Sequence, residues 1–160
     1  MKILFLDIDG VLVPYDWRCY LKQAWDKSRG RIKSKDVFGY LFFDQAVYAL
    51  NRIVEETGCD IIISSSWRTK RDLSTFRRMW AERDLSGKII DLTPILCDSY
   101  ENRGDEIQLA INEWHPKQYC ILDDKEQMNP DQMPFFVRTD SGYGLTQEDA
   151  DECIAILNRK

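Results

Sequence analysis

Three short apolar runs dominate the pattern of this chain, and each one ends in carboxylates or hydroxyls. Ile3-Leu4-Phe5-Leu6 runs into Asp7, Asp60-Ile61-Ile62-Ile63 into Ser64-Ser65-Ser66, and Gln118-Tyr119-Cys120-Ile121-Leu122 into Asp123-Asp124. Runs so short and so free of polar interruption suit strands buried on both faces rather than one-sided edge strands. Helical periodicity fills the intervals between them. Ala46, Val47, Leu50, Ile53 and Val54 predict a helix over 44–57 that starts at Asp44 and stops at Gly58. Leu73, Phe76, Met79 and Trp80 give the buried side of another over 70–84, and Ile107, Leu109, Ala110, Ile111 and Trp114 mark a third over 102–114. Residues 88–92 and 135–138 read as further short strands. The last helix, to about Asn158, is announced by Thr146 with Asp149 three places on, a variant capping box. Strand and helix alternation of this kind predicts an α/β fold, a central parallel sheet covered by helices on both faces.

In open parallel sheets ligands gather beyond the carboxyl ends of the strands, so Asp7, the serines and the Asp123-Asp124 pair all fall where chemistry is expected. Asp9 follows Asp7 by two residues, and Gly10 then permits a sharp turn or the close approach of another group. Read alone, D-x-D-G fits a solvated turn after a strand equally well.

Bulk properties narrow the classes. A chain of 160 residues has the size of one ordinary domain, and a single domain spanning 1–160 is the expectation. No apolar stretch approaches the ~20 residues of a membrane span. The first apolar run is broken by Asp7 and Asp9 with no small-residue cleavage site behind it, so a cytoplasmic protein is expected, with no membrane and no obligate protein partner. The cysteines, Cys19, Cys59, Cys97, Cys120 and Cys153, are scattered without a C-x-x-C pair, and His115 is the single histidine, so neither a zinc site nor a cysteine–histidine pair is expected. His115 sits in W-H-P, where a helix should end.

Residues 14–43 differ from the rest. Aromatics (Tyr15, Trp17, Tyr20, Trp25, Phe38, Tyr40) alternate there with cations. Between Asp16 and Asp36 seven basic residues face three acidic ones, in a chain of net charge −5. This small insert follows the first strand and should overhang its end, where its charge favours an anion. A flexible solvated loop has the same composition.

The stretch Asp7-Ile8-Asp9-Gly10-Val11-Leu12 resembles the first motif of the haloacid dehalogenase (HAD) superfamily, and the later motifs follow in order. The serine run resembles the second, with Ser65 favoured over Ser64 as the phosphate-holding hydroxyl. The tail S-S-x-W-R, with Ser66 and Arg68, is similar to the HAD domain of Swiss Army knife RNA repair proteins. Arg103, at a helix start, resembles the basic third motif, and Asp123-Asp124 the acidic fourth. The resemblance implies a Rossmann-like three-layer sandwich with a minimal cap. It also implies a phosphatase working through an aspartyl-phosphate, with Asp7 as nucleophile and Asp9 as general acid and base. By the same resemblance Ser65 and Arg103 stabilise the phosphoryl group, and Gly10, Ser64, Ser66 and Arg68 contact substrate. Mg²⁺ would be held by Asp7, the Asp9 main-chain carbonyl, Asp123 and Asp124, hard oxygen ligands of the kind this ion prefers. The two basic patches, at 14–43 and along 68–83, point to a nucleic-acid or nucleotide phosphate end as substrate, with aromatics of the insert free to stack bases. Sugar or nucleotide monophosphates, or a catalytically silent nucleic-acid-binding module, are the alternatives.

Overall fold

In the computed structural model, which describes residues 1–96 and 102–160, five strands form one parallel sheet in the order β5-β4-β1-β6-β7. The strands are β1 (Lys2–Leu6), β4 (Asp60–Ile63), β5 (Ile89–Leu92), β6 (Gln118–Asp123) and β7 (Phe136–Arg138). β1 is central. Its side chains alternate between the two faces, and both are apolar, as the uninterrupted run requires. Leu4 and Leu6 pack with helices α2 (Asp44–Thr57), α3 (Leu73–Glu82) and α5 (Gln147–Leu157). Ile3 and Phe5 pack with α4 (Arg103–Trp114). The result is the three-layer α/β arrangement expected from the sequence.

Register fixes what happens at the carboxyl edge. Leu6 is paired with Ile63 on one side and Leu122 on the other, so Asp7, Ser64 and Asp123 emerge side by side. Main-chain bonds carry the ladder one residue further: the Asp7 N–H donates to Leu122 O at 2.9 Å and the Ser64 N–H to Leu6 O at 2.9 Å. The functional edge therefore begins inside the sheet's own hydrogen-bond network.

Helix ends follow their local chemistry with small departures. Gly58 caps α2 in the left-handed conformation, φ 65°, donating to Val54 O. Asp44, expected as N-cap of α2, is its first helical residue instead, after Phe43. α3 is shorter than expected, starting after Asp72, whose side chain accepts from the Thr75 N–H at 2.8 Å. The residues before it, Ser66–Thr69, form a separate 3-10 turn. The Thr146 and Asp149 box closes reciprocally at the start of α5. His115 ends α4 with φ 46°. Cys59, Cys120 and Cys153 are buried as expected, Cys19 is half-buried, and Cys97 lies outside the described residues.

The basic insert is ordered, which its composition left open. It forms helix α1 (Tyr15–Lys27) and a small antiparallel hairpin of β2 (Lys35–Asp36) and β3 (Gly39–Tyr40). Phe38 and Phe42 are buried beneath it. Arg83, at the end of α3, grips Asp36 through two hydrogen bonds of 2.9 and 2.8 Å, and Arg71 donates twice to Phe38 O. No described helix is long and apolar enough to cross a membrane.

Candidate active site

At the carboxyl edge of β1 and β6, three carboxylates converge. Asp7, Asp123 and Asp124 each offer an oxygen within 4.8 Å of the others. Asp7 and Asp123 are almost fully buried. Burial, more than any other influence, pushes the Asp7 carboxyl above its ordinary value, against the pull of Arg103. Burial and then the charge of Asp7 push Asp123 up to about 8. Such a cluster is costly as it stands and asks for positive charge.

Arg103 supplies part of that charge. It opens α4, and its Nη1 lies 3.0 Å from Asp123 Oδ2, 3.8 Å from Asp7 Oδ1 and 3.4 Å from the Ser64 hydroxyl. The guanidinium is buried, which opposes its charge, but the Asp7 and Asp123 carboxylates outweigh that and hold its pKa above the usual value. Its approach depends on the glycine after it. A Cβ on Gly104 would stand 2.7 Å from the Asn129 main-chain nitrogen, so only glycine lets the 127–129 loop close on the start of α4.

Asp124 completes the acidic group from the opposite side. Its Oδ1 is buried without a hydrogen-bond partner among the described residues. A Cβ on Gly10 would fall 2.5 Å from Asp124 Cγ, and Gly10 itself has φ +75°. The loop after β1 thus leaves a hollow that the Asp124 side chain occupies. An orphaned carboxylate oxygen, two further carboxylates and a glycine that makes room for them fit a hard divalent cation. Gly10 was expected to contact substrate. Its N–H is instead spent on Val13 O and its carbonyl on the Thr139 hydroxyl, so its part is to admit Asp124.

Asp9 stands apart from this cluster. Its carboxylate accepts from Trp67 Nε1 at 3.0 Å, and its other oxygen lies 3.8 Å from Arg18 Nη1. The contribution expected of Asp9 to a metal was its main-chain carbonyl; its carboxylate is not one of the converging three. Burial and then the neighbouring Asp7 charge raise its pKa.

The serines divide. Ser65, fully buried, lies close enough to the Asp7 carboxylate to favour its charged form, and its hydroxyl accepts from the Trp67 N–H at 3.3 Å. Ser64 is turned to Arg103, and Ser66 is half-buried on the wall of a neighbouring pocket. Of the three serines, Ser65 is the one whose hydroxyl acts on the Asp7 carboxylate.

Arg68 corrects an expectation. Rather than reaching toward substrate, its guanidinium is buried and donates to Thr93 O at 3.0 Å, Ser65 O at 2.7 Å, Pro94 O at 3.4 Å and the Glu106 carboxylate. It ties the serine turn to α4. Trp67 was quoted only as part of the S-S-x-W-R tail, with no role given to its side chain, and Glu106 was not singled out from sequence. The hydrophobic spacing of α4 gave no sign that Glu106 faces inward, and an indole bonded to an acid 58 positions away leaves no local signal.

A scan against family models matched residues 3–150 to the HAD domain in Swiss Army Knife RNA repair proteins. The chain belongs to this family. No curated protein and no solved structure gave a significant match. Within the family assignment, the α/β sheet of this HAD domain presents Asp7, Ser65, Arg103 and the Asp123-Asp124 pair on one edge, in the order of the four motifs along the chain. Its insert, α1 with the hairpin, lies beside Asp9, which Arg18 of α1 approaches.

Proposed function

We propose that this HAD domain is a Mg²⁺-dependent phosphomonoesterase working through an aspartyl-phosphate on Asp7, with phosphorylated nucleic-acid or nucleotide ends as its substrates. The observation that carries the reading is the division of labour among the acids: three carboxylates converge, while Asp9 is held two residues away by an indole and a guanidinium. A protein that only bound phosphate would gain nothing from four acids in one place, since they repel a dianion.

An Asp7 carboxylate oxygen forms a bond to phosphorus as the bond to the ester oxygen breaks. Asp9, protonated, gives its proton to that departing oxygen. The raised pKa of Asp9 favours this protonated form at the start of the cycle. In the second half Asp9 takes a proton from water, the water oxygen bonds to phosphorus, and the Asp7–phosphorus bond breaks to release inorganic phosphate. Arg103 and the Ser65 hydroxyl face the place where charge builds on the phosphoryl oxygens. Asp7, Asp123 and Asp124 would hold Mg²⁺. The ion, when bound, neutralises the acids and withdraws charge from the phosphoryl group.

The direct test is hydrolysis of an aryl phosphate by the purified chain. Turnover is expected with Mg²⁺, is lost in chelator, and falls about 10²- to 10⁴-fold in Asp9→Asn, the range of a lost general acid. Folded protein with no Mg²⁺-dependent turnover on aryl, nucleotide or oligonucleotide phosphates would sink the proposal. Oligonucleotide binding that survived Asp7→Asn and Asp9→Asn would then favour a silent binding module.

Gly10→Ala tests the hollow for Asp124. The added methyl would meet Asp124 Cγ at 2.5 Å in a positive-φ backbone. Expected are a loss of roughly 1–3 kcal/mol in stability, from strain and overpacking, and a higher Mg²⁺ concentration for half-maximal activity. An unchanged Mg²⁺ requirement would contradict the placing of Asp124 in the metal group.

A further inference from the structure

Beside Asp9 a pocket of about 360 Å³ opens between the insert and the serine turn, and none of Asp7, Asp123 and Asp124 lines it. Asp9, Arg18, Lys35, Tyr40, Ser66 and Lys70 line it, along with Trp67 and Arg71. Four of these residues are cations and one is an acid, within a chain of net charge −5. The cations are not equivalent. Arg71 is committed to Phe38 O and Trp67 O and lies over the Trp67 ring. Arg18 meets the Asp9 carboxylate only at 3.8 Å. Lys35 and Lys70 are exposed, and neither is ion-paired among the described residues.

The floor of the pocket indicates which part of a ligand fits. The Tyr40 ring carries the Arg18 guanidinium at 4.9 Å and the Lys35 ammonium at 4.3 Å. Two cations held against one ring repel each other, and an anion in the pocket that both line offsets that repulsion. Both cations lie against the Tyr40 ring, which leaves less of its face for a stacked base. Asp9 lines the pocket, so on the phosphatase reading, in which Asp9 gives its proton to the departing oxygen, the pocket falls on the leaving-group side.

Resting on the phosphatase reading, we propose that Arg18, Lys35 and Lys70 form a subsite for a second phosphate on the leaving group. The enzyme then selects ends whose terminal nucleotide carries a further phosphate, whatever its base. That phosphate is either the first phosphodiester of an oligonucleotide or the second monoester of a nucleoside bisphosphate. Cations that recognise phosphate without touching a base give affinity without sequence preference.

Binding is measured on Asp7→Asn protein and on the unsubstituted chain in chelator, so that no turnover is needed. The probes are 3′- and 5′-phosphorylated dinucleotides, the matching nucleoside monophosphates, and a nucleoside 3′,5′-bisphosphate. At least one doubly phosphorylated probe is expected to bind ten-fold or more tighter than its monophosphate. Lys35→Gln with Lys70→Gln should shrink that gap at least five-fold and flatten its salt dependence. A tight dinucleotide identifies the phosphodiester as the source, and a tight bisphosphate with a weak dinucleotide identifies the terminal monoester. The subsite is overturned if all probes bind within three-fold of one another, if none binds, or if the gap survives in the double variant. Aryl phosphate turnover by the unsubstituted chain reports on the chemistry separately, so a failed subsite and a failed phosphatase reading give different results.

Discussion

Asp7→Asn is expected to abolish phosphate hydrolysis, by about 10⁴-fold or more, while leaving the fold at least as stable as before when Mg²⁺ is absent. The rate loss follows from chemistry: an amide cannot supply the oxygen that bonds to phosphorus, and losses on this scale accompany removal of a nucleophile. The stability follows from the geometry. Asp7 is buried against Asp123 and Asp124, and burial pushes the carboxyls of both Asp7 and Asp123 upward, with Arg103 as the chief opposing charge. Asparagine keeps the shape, retains an oxygen to accept the Ile8 N–H that now meets Asp7 Oδ1 at 2.7 Å, and removes one negative charge from the group. Added Mg²⁺ should therefore raise the melting temperature of the unsubstituted chain more than that of the variant. Thermal melts with and without Mg²⁺, beside an aryl phosphate assay, check both halves. Residual turnover near the parental rate would move the nucleophile elsewhere, and an equal Mg²⁺ shift in both proteins would remove Asp7 from the metal group.

The contrast with Arg68 shows which parts of this site can be read from a sequence. Asp7, the serine run, Arg103 and Asp123-Asp124 were legible because each is anchored to a periodic element. A strand of unbroken apolar residues announces both its burial and its end, and parallel register then sets those ends abreast. The helix face of Ile107, Ala110 and Ile111 likewise dates the start of α4 and so places Arg103. Nothing comparable exists for the links between elements. The Asp9 to Trp67 bond and the Arg68 to Glu106 pair join residues 58 and 38 positions apart, through side chains whose direction depends on the 3-10 turn Ser66–Thr69, for which no element was expected. A cation next to a phosphate-binding turn has two fates, toward the ligand or into the protein, and the same letters serve both. The insert posed the same problem. Its charge suggested an anion, but its order depends on Asp36 finding Arg83 and on Phe38 and Phe42 finding the core, contacts that composition does not contain.

Breaking the Arg68–Glu106 pair should produce the largest stability loss of any single change near the site. Both side chains are within a few per cent of complete burial. Desolvation pulls the Arg68 pKa below its usual value even with Glu106 beside it, so the pair persists because the two charges answer each other. Glu106→Gln leaves a buried guanidinium facing a neutral amide, and a loss of roughly 3–5 kcal/mol is expected. Arg68→Met should cost at least as much, since it also strips the carbonyls of Ser65, Thr93 and Pro94 of a buried donor. Urea unfolding measures both. The consequence for catalysis distinguishes this pair from Asp7. Arg68 binds the main chain at Ser65, and Glu106 lies on the first turn of α4 with Arg103, so the pair fixes the distance between the two groups proposed to face the phosphoryl oxygens. Activity should therefore fall in both variants even at temperatures where the protein is fully folded, through a reduced kcat with the Mg²⁺ requirement little changed. A substrate contact by Arg68 would give the opposite pattern, a raised KM with stability intact.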